Sequence, residues 1–94
     1  MAHTFDELVE KQRAANEAHT RVLELREAYG APTAAPWSQE QSSTYETAWR
    51  AWRDLARDVQ ASVSDFAKDE GRMRNEVEAE VKKAATESPT EGGG

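Results

Sequence analysis

Residues 45–77 read YETAWRAWRDLARDVQASVSDFAKDEGRMRNEV, and the spacing within this stretch decides the fold. Tyr45, Trp52, Val59, Phe66 and Met73 recur every seven residues. Trp49, Ala56, Val63 and Val77 repeat four residues behind them, interrupted only by Glu70. Alternating steps of four and three put both series on one face of an α-helix. A stripe of this length predicts one long amphipathic helix over about 39–70. Its start is marked by Ser38-Gln39-Glu40-Gln41, a capping box in which the Ser hydroxyl and the Gln side chain satisfy each other's backbone N–H groups. Its end is marked by Glu70, a charge on the stripe, and by Gly71, which costs about 1 kcal/mol relative to Ala inside a helix. Met73, Val77 and Val81 then keep the helical spacing to about Ala85. The segment 72–86 is expected to run on as a bent or continuous extension, with a short third helix folding back after Gly71 as the alternative. The reversal would have to occur within Asp69-Glu70-Gly71-Arg72, which holds one Gly and no Pro.

Working outward toward the N-terminus, Thr4-Phe5-Asp6-Glu7 is a second capping box and opens a helix over about 5–29. Its apolar face is Leu8, Ala15, Val22 and Tyr29, with Ala18 and Leu25 between them and Phe5 at the end. Glu10, Arg13, Glu17, Arg21 and Glu24 form the opposite face. Gly30 and Pro32 end it. The connection 30–37, GAPTAAPW, is short, so the two helices are antiparallel neighbours. Its Trp37 is expected to fold down onto the helix ends, because so large an aromatic surface is rarely left in water. Placing Tyr29 opposite Tyr45 sets Leu25 against Trp49, Val22 against Trp52, Ala15 against Val59 and Leu8 against Phe66. The predicted fold class is all-α: an antiparallel helical hairpin with a long second helix, one domain over 1–86. Residues 87–94, ending Ser88-Pro89-Thr90-Glu91 and three glycines, read as a disordered tail.

Composition narrows the function. Ninety-four residues make one small domain. Sixteen are Ala and only nineteen are larger apolar residues, none of them Ile, so the core is a thin seam. A net charge of −6 argues against nucleic-acid binding, which needs a positive field, and against docking on an anionic membrane. There is no Cys, hence no disulfide or thiolate chemistry. Asp6, Glu7 and Glu10 stand where a signal peptide needs an apolar run, and no window reaches transmembrane length. A cytoplasmic location is the expectation. Eight Arg against four Lys, with no Ile, is the bias of a GC-rich bacterial genome.

Side chains that could carry chemistry are few. His3 and His19 on one helix lie about 24 Å apart and cannot share a metal. His19 sits at the edge of the apolar face, and Glu70 is the only acid on the stripe. Neither a metal-binding His-Glu motif nor a glycine-rich phosphate loop is present. No catalytic, cofactor-binding or metal-ligating residue is predicted. Arg50, Arg53 and Arg57 line one side of the second helix, with Asp54 and Asp58 interleaved at pairing distance, so a solvated ionic face is expected rather than a phosphate grip. Trp49 and Trp52 suit either core packing or an interface. The expectation is a non-enzymatic protein acting through contacts with a protein partner or with itself. A homodimer is expected, with Trp49, Trp52, Leu55, Phe66, Met73, Val77 and Val81 as interface candidates, no cofactor, no nucleic acid and no membrane. One of two alternatives is a small regulator that binds a ligand or nucleic acid through the Trp and Arg side of the second helix; the other rests on a family resemblance. Trp52→Ala is expected to destabilise by about 3–5 kcal/mol if Trp52 fills the centre of the seam.

A hairpin of about this length with Trp37 in its turn resembles the WXG100 family in architecture over residues 5–86. That resemblance implies a secreted, usually dimeric hairpin exported by a type VII machine. The turn here reads Trp37-Ser38-Gln39, without the family's Gly two residues after Trp. Tyr45 and Tyr29 are followed four residues later by Trp49 and Thr33, not by the acid of the family's secretion motif.

Overall fold

The computed structural model describes residues 3–31 and 35–87 and contains three helices: α1 (Phe5–Tyr29), α2 (Gln39–Glu70) and α3 (Arg74–Thr86). No strand occurs among the described residues. Pro32 and all of the expected disordered tail 87–94 except Glu87 lie outside them. α1 packs most extensively on α2 as an antiparallel hairpin, and α3 lies against both.

Both helix starts follow the sequence. The Thr4 hydroxyl accepts from the Glu7 N–H at 3.1 Å while the Thr4 N–H donates to the Glu7 carboxylate at 2.8 Å. Ser38 and Gln41 make the same reciprocal pair at 3.0 and 2.9 Å. Each cap is worth about 1 kcal/mol, so Ser38→Ala would fray the first turn of α2. At the other end of α1, Gly30 takes a positive φ of 78° and its N–H donates to the Arg26 carbonyl at 2.9 Å. Trp37 closes this end of the hairpin as expected. Its indole N–H donates to the Gly30 carbonyl at 2.8 Å, and its ring meets Tyr29 and Tyr45 edge-on at 5.4 and 5.0 Å. Aromatic pairs of this geometry contribute about 0.5–1.5 kcal/mol beyond area burial.

The segment after Gly71 does not continue α2. A single left-handed residue turns it: Gly71 has φ 64° and ψ 34°. The Arg72 N–H donates to the Ala67 carbonyl at 2.9 Å and the Gly71 N–H to the Lys68 carbonyl at 3.3 Å, which is a Schellman closure. Met73 then caps α3, with no side-chain hydrogen bond at that end. The expected extension is therefore replaced by the fold-back alternative. One glycine sufficed because this motif needs only one residue at positive φ, and no proline.

α3 completes the core. Leu8, Val63, Val77 and Val81 are 0% exposed and join Ala15, Val59, Phe66 and Ala67 in one cluster, with Phe5 and Leu55 packed against it. The antiparallel pairing of α1 with α2 is as expected, but the register is displaced by about one turn: the ring that meets Phe66 is that of Phe5, 6.2 Å away, where Leu8 was expected. The same displacement is seen toward the loop. Val22 and Leu25 are buried, but the ring stacked on Trp52 is that of His19.

Candidate functional site

The seven interface candidates fall into three places. Phe66, Val77 and Val81 are buried in the three-helix core, and Leu55 is half-buried against it. Val77 and Val81 are covered by their own chain, so the argument for a dimer from an uncovered extension lapses. Met73 stands at the α2–α3 turn and is 62% exposed. Trp49 and Trp52 lie at the other end, where α1 and α2 have no third helix above them.

This open end carries the molecule's aromatic surface. The imidazole of His19 stacks on the half-buried Trp52 at 4.6 Å with a 30° tilt. Trp49, one turn nearer the loop on α2, meets Trp52 edge-on at 6.3 Å and is 38% exposed. The Arg53 guanidinium lies 5.0 Å from the Trp49 ring centroid, a cation–π contact. Leu23 is 52% exposed and lies one turn beyond His19 on the same face of α1. In an antiparallel pair the turn beyond His19 and the turn before Trp52 both lead toward the loop, so Leu23 and Trp49 flank the stack at the same level. Leu23 escaped the sequence reading because it is off the apolar stripe of α1. The available signal was its isolation as a Leu between Val22 and Glu24 on an otherwise polar flank.

Two grooves border this surface. One, about 270 Å³, runs from α3 to the His19–Trp52 stack, with Ala15 and Val59 in its floor and Gln12, Asn16, Gln60 and Lys82 among its walls. The other, about 420 Å³, is lined by Leu25, Ala48 and Ala51 with Arg21, Thr44 and Thr47. Both have small apolar side chains in the floor and hydrogen-bonding groups at the rim.

The expected Arg–Asp pairing along α2 does not form. Asp58 instead accepts from Lys11 across the hairpin at 2.6 Å, Arg50 pairs with Glu46 at 3.9 Å, and Arg53 is committed to Trp49. The denser polar network joins α2 to α3. Arg74 reaches Ser64 at 2.9 Å, Glu78 at 3.1 Å and also Gln60. Glu78 further accepts from Gln60 at 3.2 Å and pairs with Lys82 at 3.1 Å. Hydrogen bonds from the Gln60 amide, then from Lys82, hold the Glu78 carboxyl below the ordinary carboxylate range. Arg72 donates to Glu80 at 2.6 Å, which lowers the Glu80 pKa and raises that of Arg72.

Among the described residues no group of three or more His, Asp or Glu is placed to hold a metal ion, and no helix is long and apolar enough to cross a membrane. No family model, no curated protein and no solved structure matches this chain.

Proposed function

We propose that this chain is a non-enzymatic protein-contact module whose working surface is the open, two-helix end. One observation carries the reading. Among the described residues, the two large exposed apolar side chains outside the α2–α3 turn, Leu23 and Trp49, flank the His19–Trp52 stack where no helix covers the hairpin. Trp, with Arg against its face, is the composition favoured at interface hot spots. An exposed apolar patch rimmed by polar groups is where small proteins meet partners. The net charge of −6 and the engagement of Arg50 and Arg53 within α2 support a protein partner over nucleic acid.

The test uses a Leu23→Ser/Trp49→Ala double variant, with helicity and melting temperature checked against wild type. A tagged wild-type chain should recover a stoichiometric protein partner, or a second copy of itself, and the variant should lose it while remaining folded. Salt-dependent retention of the wild type on nucleic acid, without a protein partner, would overturn the reading.

A further inference from the structure

The stripe of α2 does not stop in phase where the helix stops. Met73 sits seven residues after Phe66 and fourteen after Val59, yet it caps α3 and is 62% exposed. Were the chain helical through 71–73, Met73, Val77 and Val81 would lie within one sector on the face that carries Phe66. The same valines that seat α3 in the folded-back chain therefore also continue the stripe of an unbroken helix. Three residues, Gly71, Arg72 and Met73, separate the two arrangements. Of these only Gly71 takes a left-handed conformation, with its φ of 64°, and the turn is further held by the Arg72 N–H on the Ala67 carbonyl and by the Arg72–Glu80 pair at 2.6 Å. A Cβ built at Gly71 meets nothing within 4 Å, so an alanine would oppose the turn through backbone preference alone. α3 is held by two buried side chains, Val77 and Val81, and by polar links from Arg74 and Glu78 to Ser64 and Gln60 and from Arg13 to the Ala84 carbonyl at 3.4 Å. Each of those links is satisfied equally by an α3 arriving from another chain.

We propose that α3 exchanges between two copies of this chain. In the exchanged dimer α2 runs unbroken through Gly71, and its α3 fills the seat on the partner's hairpin, between Leu8, Val63 and Phe66, that the partner's own α3 has left. A short hinge joining an element to its seat is the recognised route to such swaps. The seat is complementary to α3 because it is the seat α3 already occupies, and the swap leaves the open end of each hairpin uncovered. The inference is independent of the open-end contact surface, and its test leaves Leu23 and Trp49 in place.

The experiment exploits the absence of cysteine. Chains carrying only Ser64→Cys are mixed with chains carrying only Arg74→Cys, unfolded, refolded together and treated with a short bismaleimide. In the monomer these two positions face each other within one chain, so a link between the two kinds of chain requires exchange. Gly71→Ala, which favours helix and disfavours the left-handed turn, is expected to tighten dimerisation by about tenfold or more and to raise the cross-chain yield. Inserting a flexible Gly-Ser segment after Gly71, which relaxes the hinge, is expected to lower both. Cross-chain linkage that is absent in wild type, and absent from a folded Gly71→Ala chain at high micromolar concentration, overturns the proposal. So does a Gly71→Ala dimer that gives no link. Should Gly71→Ala fail to fold, the wild-type and insertion chains decide: equal cross-chain yield in the two overturns it.

Discussion

The two ends of the hairpin are built from one repeating stripe, and they end up in different states. Around Val59, Val63 and Phe66 the stripe meets both α1 and α3, and Val63 is 0% exposed. Around Tyr45, Trp49 and Trp52 it meets α1 alone, and Trp49 is 38% exposed although it holds the same heptad position as Val63. A two-helix contact covers one sector of each helix, and only a third element closes the remaining angle. Heptad position thus states which way a side chain points, while coverage depends on what is packed there. The open end manages with large flat rings that shield one another: Tyr29, Trp37 and Tyr45 at the turn, then Trp49, Trp52 and His19. The closed end manages with aliphatic side chains, alanine and the Phe5–Phe66 pair, under the cover of α3.

Substitutions at the two ends should separate this way. The largest effect is expected from Leu8→Ala, which opens a cavity beneath α3 and should destabilise by about 2–5 kcal/mol in chemical denaturation. A loss near zero would mean that the three-helix core is not the stabilising one. Trp52→Ala should cost less than the sequence expectation, about 1–2 kcal/mol, because the half-buried ring loses a stack and part of its burial rather than the centre of a core. If Trp52→Ala proves as damaging as Leu8→Ala, the open end is covered in solution, and the contrast between the ends belongs to the isolated chain alone.

Acid should loosen the closed end first. Glu78 and Glu80 have folded-state pKa values below the ordinary carboxylate range. Their contribution is therefore complete above the unfolded-state value, about pH 4.3 for Glu, and is lost as pH falls through the lower folded value. The effect is small because the groups are solvated. Glu78→Gln/Glu80→Gln should flatten the acid limb of the stability profile while leaving the neutral-pH tryptophan fluorescence of the open end unchanged. An acid limb as steep as wild type would assign the pH dependence to other carboxylates. The smallest effect is expected at Arg50, Arg53 and Arg57. Replacing all three by Gln should move stability by no more than about 0.5 kcal/mol, with nucleic-acid binding undetectable before and after by fluorescence anisotropy. Wild-type binding that the triple variant loses would give this face a role that its pairing with Glu46 and Trp49 does not suggest.

Much of the fold was legible in the residues. Thr4 with Glu7 and Ser38 with Gln41 announced the helix starts, because capping is decided by side chains three residues apart. The antiparallel pairing of α1 with α2 followed from matching apolar stripes across a short loop, and Trp37 was readable as the plug of that loop; the register was not, since Phe5 and His19 stand where Leu8 and Val22 were expected. The direction of the chain after Gly71 was not legible, because Met73, Val77 and Val81 satisfy a continued helix and a folded-back one alike. Of the open-end surface, Trp49 and Trp52 were named in advance. Leu23 and the partnership of His19 with Trp52 were not, since both lie beside the stripe and depend on how α1 is rotated against α2.

By itself, then, the sequence determined which segments are helical, where they start, which face of each is apolar and that the first two pair antiparallel. These depend on local spacing and capping, which act within a few residues. Only the tertiary structure decided that α3 turns back to cover one half of the hairpin and leaves the other half bare. That outcome rests on a difference between two compact arrangements of the same side chains. One left-handed glycine and the burial of Val77 and Val81 between α1 and α2 tip the chain toward the fold-back, and neither is visible until the helices are packed together.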